Sequence, residues 1–134
     1  MLMSGKIILG LLILTACTSL RKIPDLGGLR WGLVQLQNEK LDSSPVYIQF
    51  DTSAHRFTGN AGCNKISGNY TATDKALTFA EVISTRMACL DTRANERESQ
   101  LLRLLNNHTY AYDINGATLQ LKDSGKVILR FKGF

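Results

Sequence analysis

The sequence predicts an α+β fold: a mainly antiparallel curved sheet or partly open barrel of six to eight strands, with one covering helix. Three observations lead there. Apolar side chains recur with a period of two along most of the chain, the signature of half-buried strands. Glycine-rich stretches and turn-forming pairs punctuate these runs at short intervals, as in sheets built from hairpins. One segment alone, 91–105, changes to helical spacing.

The strands follow in order. Leu29, Trp31, Leu33 and Gln35 alternate with Arg30, Gly32, Val34 and Leu36, and one face is bulky. Val46, Ile48 and Phe50 alternate with Tyr47, Gln49 and Asp51. Phe57 leads into a glycine-rich turn at 59–62, and 66–71 reads as a short polar strand. Residues 77–83 form another extended candidate. Tyr110, Tyr112 and Ile114 run into Asn115-Gly116, a hairpin signal because both residues tolerate positive φ. Leu119 and Leu121 share one face, 123–126 turns the chain, and Val127, Leu129 and Phe131 close the domain. Trp31, Phe50, Phe57, Leu102 and Leu121 are the expected core.

The helix of 91–105 has Asp91 or Thr92 as its cap. Glu96 and Glu98 stand early and Arg103 late, the order the macrodipole favours. Ala94, Leu101, Leu102 and Leu105 supply an apolar stripe, and Asn106-Asn107 ends the helix. Glu96 and Glu98, two residues apart, point to different faces and read as a solvated helix start rather than an acid–base pair. An amphipathic helix among antiparallel strands covers an open face or end of the sheet.

The amino terminus reads differently. Lys6 is its only charge, and 7–14 is apolar except for Gly10. That run suits a secretory signal and is short for a membrane span. Leu14-Thr15-Ala16-Cys17 looks like the lipobox of bacterial lipoproteins, in which small residues precede a cysteine that takes a diacylglyceryl group. Residues 1–16 are therefore expected to be a lipoprotein signal peptide, 17–28 a lipidated tether, and 29–134 the folded domain. Thr18, where an Asp favours the inner membrane, points to the periplasmic face of the outer membrane.

Removing Lys6 with the signal leaves 15 basic and 11 acidic side chains, a net of +4. The charges are scattered and no basic run alternates with aromatics, so nucleic acid is not an expected partner. The implied partners are the membrane, through the lipid, and an envelope protein. Two cysteines remain after lipidation, Cys63 and Cys89, and an even count in an oxidising compartment points to a disulfide. Two other readings use the same residues. Cys63 as a nucleophile would need His55 or His108 as a base. A zinc site from His55, Cys63, Cys89 and His108 lacks the usual paired-ligand spacing. Gly59, Gly62 and Lys65 do not reproduce a phosphate-binding loop, which needs a lysine directly after its last glycine and a helix next. No cofactor and no metal are expected.

The stretch 57–70 reads Phe-Thr-Gly-Asn-Ala-Gly-Cys-Asn-Lys-Ile-Ser-Gly-Asn-Tyr. Ser84-Thr85-Arg86-Met87-Ala88-Cys89 follows, then a helix with Glu96 and Glu98, then Leu119-Gln120-Leu121. Together these resemble the META domain family, the HslJ-like lipoproteins, over about residues 26–133. The positions that carry the resemblance are Gly59, Gly62, Cys63, Asn64, Gly68, Tyr70, Thr85, Met87 and Cys89. It implies a non-enzymatic envelope protein linked to integrity or stress response, binding a protein, peptide or lipid component. The alternative is an inhibitor-like module acting on a periplasmic hydrolase. As architecture, Gly59, Gly62 and Gly68 allow tight turns and close approach. Asn64 can satisfy turn amides, and Phe57 and Tyr70 bury area against the sheet.

Overall fold

A computed structural model describes residues 16–20 and 22–134 of the chain. The expected signal peptide, apart from Ala16, lies outside the described residues, as does Arg21. Among the described residues nine strands and one helix follow one another: β1 (Arg30–Leu36), β2 (Glu39–Lys40), β3 (Tyr47–Asp51), β4 (Arg56–Asn60), β5 (Lys65–Ala72), β6 (Ala76–Ser84), α1 (Thr92–Leu105), β7 (Thr109–Asn115), β8 (Thr118–Asp123) and β9 (Lys126–Gly133). All strand pairs are antiparallel, in the order β2-β1-β3-β4-β5-β6-β7-β8-β9. Strand β1 also pairs with β9, so the ladder returns on itself.

The strand count therefore exceeds the expected six to eight. The extra element is β2, two residues long and paired only with the end of β1, too short to leave a hydrophobic period. Strand β4 was legible only as Phe57 and a turn, because its inward positions are Phe57 and Gly59. Gly59 belongs to the strand, not to the turn. A β-carbon there would stand 2.1 Å from the Tyr47 carbonyl oxygen, so only glycine lets β3 and β4 pair at this register.

The core lies inside the sheet. Trp31, Phe57, Phe79, Leu119, Leu121, Leu129 and Phe131 are all fully buried. Phe57 meets Phe79 edge-on at 5.3 Å between ring centres, and Phe50 meets Tyr70 at 4.8 Å, geometries that aromatic quadrupoles favour. Of the expected core, Leu102 is the correction. It is only partly buried, while Leu101 and Leu105 take the inward positions of α1. Leu26, placed by composition in the tether, is also core. It is 2% exposed, and its carbonyl accepts the Trp31 indole N–H at 2.9 Å.

Two irregularities change which side chains face inward. A shift in the β1–β9 register between Leu33 and Gln35 returns Leu36 to the core, where strict alternation from Trp31 would turn it out. A second bulge lies between β5 and β6, where Ser67 and Asn69 pair with Ile83 and Ala80 and Glu81 has φ 52°. Leu77 and Phe79 face the core, but beyond the bulge Val82 packs inward and Ile83 is 64% exposed. An extra residue reverses alternation in this way.

Candidate functional site

Gly62, Cys63, Asn64, Thr85, Met87 and Cys89 of the motif converge where three irregular segments meet: the 61–64 turn after β4, the 85–91 segment after β6, and the first turns of α1. The turn closes with Ala61 N–H donating to the Asn64 carbonyl at 2.8 Å and Gly62 N–H to Asn60 Oδ1 at 2.7 Å. Gly62 has φ +126°, a conformation that L side chains rarely adopt.

At the centre are Asn64 and Glu98, 5% and 6% exposed, the two buried polar residues among those described. Glu98 Oε2 accepts the backbone N–H groups of Cys63 at 2.7 Å and Asn64 at 2.8 Å. Its other oxygen accepts from Asn64 Nδ2. This overturns the reading of Glu98 as a solvated helix residue, whereas Glu96 is exposed. A buried carboxylate is stable only with such donors around it. The signal was in the helical spacing: Ala94, Glu98, Leu101 and Leu105 step by four, three and four, so Glu98 fills a core-facing position.

Asn64 also holds the segment across from it. Its Oδ1 accepts from Met87 N–H at 2.6 Å and Thr85 Oγ1 at 2.9 Å, and its Nδ2 donates to the Met87 carbonyl at 2.9 Å. The side-chain amide thus pairs with Met87 as a neighbouring strand would. Asn95 in α1 repeats the device on Cys89: Cys89 N–H donates to Asn95 Oδ1 at 3.1 Å, and Asn95 Nδ2 donates to the Cys89 carbonyl at 2.8 Å. Thr85 Oγ1 accepts Lys65 N–H at 3.1 Å. Asp91 caps the helix, accepting from Arg93 and Ala94 N–H at 2.9 and 3.3 Å. Cys63 and Cys89 are joined by a disulfide, with Cα atoms 5.6 Å apart, inside the range such a bond requires.

Elsewhere, Glu39 of β2 accepts from Arg97 of α1. That hydrogen bond holds the Glu39 carboxyl below its usual range and the Arg97 guanidinium above its own. A cleft of about 570 Å3 lies between residues 22–26 and Thr52, His55, Tyr70 and Ala72. A groove of about 500 Å3 runs over Tyr47, Thr58, Lys65, Ile83 and Thr85.

The histidines do not meet the cysteines. His55 lies against the Tyr70 ring and His108 stacks on Tyr110 at 5.6 Å. Among the described residues, no three His, Cys, Asp or Glu side chains are placed to hold a metal ion. No helix of the described residues is long and apolar enough to cross a membrane. Cys17 is exposed and outside the disulfide.

The META domain family model matches residues 24–133. The chain belongs to the META domain family. The match begins before Leu26, in agreement with the burial of that residue. Two solved structures are similar to it. One NMR structure is 24% identical, covering 80% of this chain and 90% of its own, with a TM-score of 0.63. Another, of a protein from Burkholderia xenovorans, is 22% identical, covering 81% and 83%, with a TM-score of 0.62. At these identities the likeness is one of fold. No curated protein matches the chain. Of the META motif, Gly62, Cys63, Asn64, Thr85 and Cys89 come together at the clamp with Glu98. Gly59, Gly68 and Tyr70 serve the sheet, and Met87 contributes its backbone while its side chain is 68% exposed.

Proposed function

We propose that this META domain protein is a non-enzymatic envelope lipoprotein, tethered through Cys17 at the periplasmic face of the outer membrane. It binds a protein, peptide or lipid component and so supports envelope integrity or the stress response. One observation carries the non-enzymatic part. The polar side chains of the motif are spent on one another: Glu98 on the 63–64 backbone, Asn64 on 87, and Asn95 on 89. Groups locked in this way are scaffold, not acid, base or nucleophile. Support for the anchor comes from the lipobox and from the exposed position of Cys17. The alternative, an inhibitor-like module acting on a periplasmic hydrolase, draws on the fixed, solvent-facing segment 85–90.

Metabolic labelling with palmitate tests the anchor. The native chain should take up label and sediment with outer membranes, and Cys17→Ala should do neither. An unmodified Cys17 in the mass spectrum of the mature protein would overturn it. His55→Ala and His108→Ala should leave the envelope phenotype within a few-fold of wild type.

A further inference from the structure

We infer that residues 85–90 form a preorganised recognition loop. Its exposed Met87 and Leu90 enter an apolar pocket, rimmed by acidic groups, on a partner protein. The inference rests on the binding role proposed above and assigns that role a surface.

The loop is irregular in backbone yet held at every second residue, 85, 87 and 89. Thr85 N–H donates to the Lys65 carbonyl at 3.0 Å. Asn64 takes both backbone groups of Met87, Asn95 takes both of Cys89, and the disulfide fixes residue 89 covalently. The polar backbone of Met87 and Cys89 is thus satisfied from the domain side while the side chains of Met87 and Leu90 are turned out. Met87 is 68% exposed and Leu90 fully so. Ile83, on the strand entering the loop, is turned outward by the β6 bulge and lines the groove that runs from Thr85.

Exposed apolar side chains cost nothing to explain singly, but three on one rigid segment mark an interaction surface. Prior ordering of the backbone removes much of the entropy cost of binding. Methionine adapts to irregular pockets.

Charge and position narrow the occupant. Arg86 in the loop and Lys65 beside it are basic, while Arg93 and Arg97 share the single carboxylate of Glu39 and leave one positive charge over. Of the nearby acids, Glu39 is taken up by Arg93 and Arg97, Asp91 faces the helix amides it caps, Glu98 is buried, and Glu96 lies on the exposed side of α1. A basic border around an apolar tip complements an acidic rim. The loop also lies at the opposite end of the sheet from the tether. Strand β5 runs from Lys65, beside Thr85, to Ala72, which lines the cleft with residues 22–26. A lipid on Cys17 would therefore hold the loop away from its own membrane, which favours a protein over a lipid surface.

The test uses the full-length, lipidated protein in intact envelopes, with a benzoyl-phenylalanine photocrosslinker placed at 87 or 90. Controls carry it at Ser53 or Asn115, exposed turn positions at the tether end. Positions 87 and 90 should give the same protein product, crosslinked within an apolar pocket bordered by Asp or Glu. Met87→Asp should reduce the product from position 90 by about ten-fold or more without shifting the melting temperature. Arg86→Glu should weaken it more at low than at high ionic strength. Products from Ser53 or Asn115 alone would overturn the loop assignment while leaving the binding role standing. Products from no position would overturn both. Crosslinks from the loop to lipid or to a second copy of the chain would overturn the stated partner.

Discussion

Replacing Glu98 by Gln should destabilise the domain by about 3 kcal/mol, although the two side chains have the same shape. The reason is the donor geometry. Glu98 Oε2 receives two backbone N–H groups and Oε1 receives Asn64 Nδ2. A glutamine can keep its oxygen on the two backbone amides, but its NH2 group then faces the Asn64 NH2 group. Turning the Asn64 amide over gives no relief, because its oxygen is held by Met87 N–H and Thr85 Oγ1 and its nitrogen by the Met87 carbonyl. Turning the glutamine over sets its NH2 group against both backbone donors. An unsatisfied buried donor costs about 1–3 kcal/mol, and two bonds to a charged acceptor weaken by about 0.5 kcal/mol or more each. The matched domain spans 24–133, and at about 2.1 cal/mol/K per residue its unfolding entropy is about 0.23 kcal/mol/K. The melting temperature should therefore fall by about 13 °C, read by circular dichroism, with a parallel loss in urea midpoint. Glu96→Gln, two residues away and exposed, should change stability by less than about 0.5 kcal/mol. Equal effects for the two variants would refute the assignment of Glu98 as the keystone of the clamp.

Three further outcomes follow from the same geometry. Opening the Cys63–Cys89 bond, which spans 26 residues, should cost about 3.5 kcal/mol by the chain-entropy estimate; two free thiols in the unfolded, non-reduced mature protein would show that the pair is unbridged. Gly59→Ala should prevent stable folding, since its β-carbon would meet the Tyr47 carbonyl; a melting temperature within a few degrees of wild type would contradict the β3–β4 register. At high pH, burial pushes the Tyr110 phenol up to about 12, and burial with nearby carboxylates raises Tyr70 and Tyr112. Their stabilising effect is complete below the unfolded value of about 10 and is lost as pH rises towards 12. Urea midpoints should therefore drop across that range, and ionisation of these three near pH 10 with the fold intact, seen at 295 nm, would disprove it.

Much of the fold was legible because strand alternation is a local property. Ile48 and Phe50, Leu119 and Leu121, and Leu129 and Phe131 are buried as their spacing implies. The Asn115-Gly116 turn joins β7 to β8, and the helix begins at Asp91, one of its two expected caps. Bulges were not legible. Nothing in residues 76–84 announces the φ of 52° at Glu81 that sends Ile83 outward. The candidate site was legible as a set of residue types matching the META pattern but not as an arrangement. Glu98 reads from the sequence as a solvated residue because a charge near a helix start ordinarily faces water, and the fold shows that it shares the inward face of Ala94, Leu101 and Leu105.

By itself, then, the sequence determined the α+β class, the helix and its cap, the pairing partners of the disulfide and membership of the META domain family. Each depends on spacing along the chain or on residue types in a fixed order. Only the tertiary structure decided that β1 pairs with β9, that Leu26 is core, and that Asn64 and Glu98 form one buried clamp. It alone decided that Met87 and Leu90 stand in solvent above that clamp. Burial and hydrogen bonding depend on what lies across space, and Cys63 and Glu98 are 35 residues apart in the chain. A carboxylate becomes structural only when folding brings donors around it and removes the water that would otherwise serve.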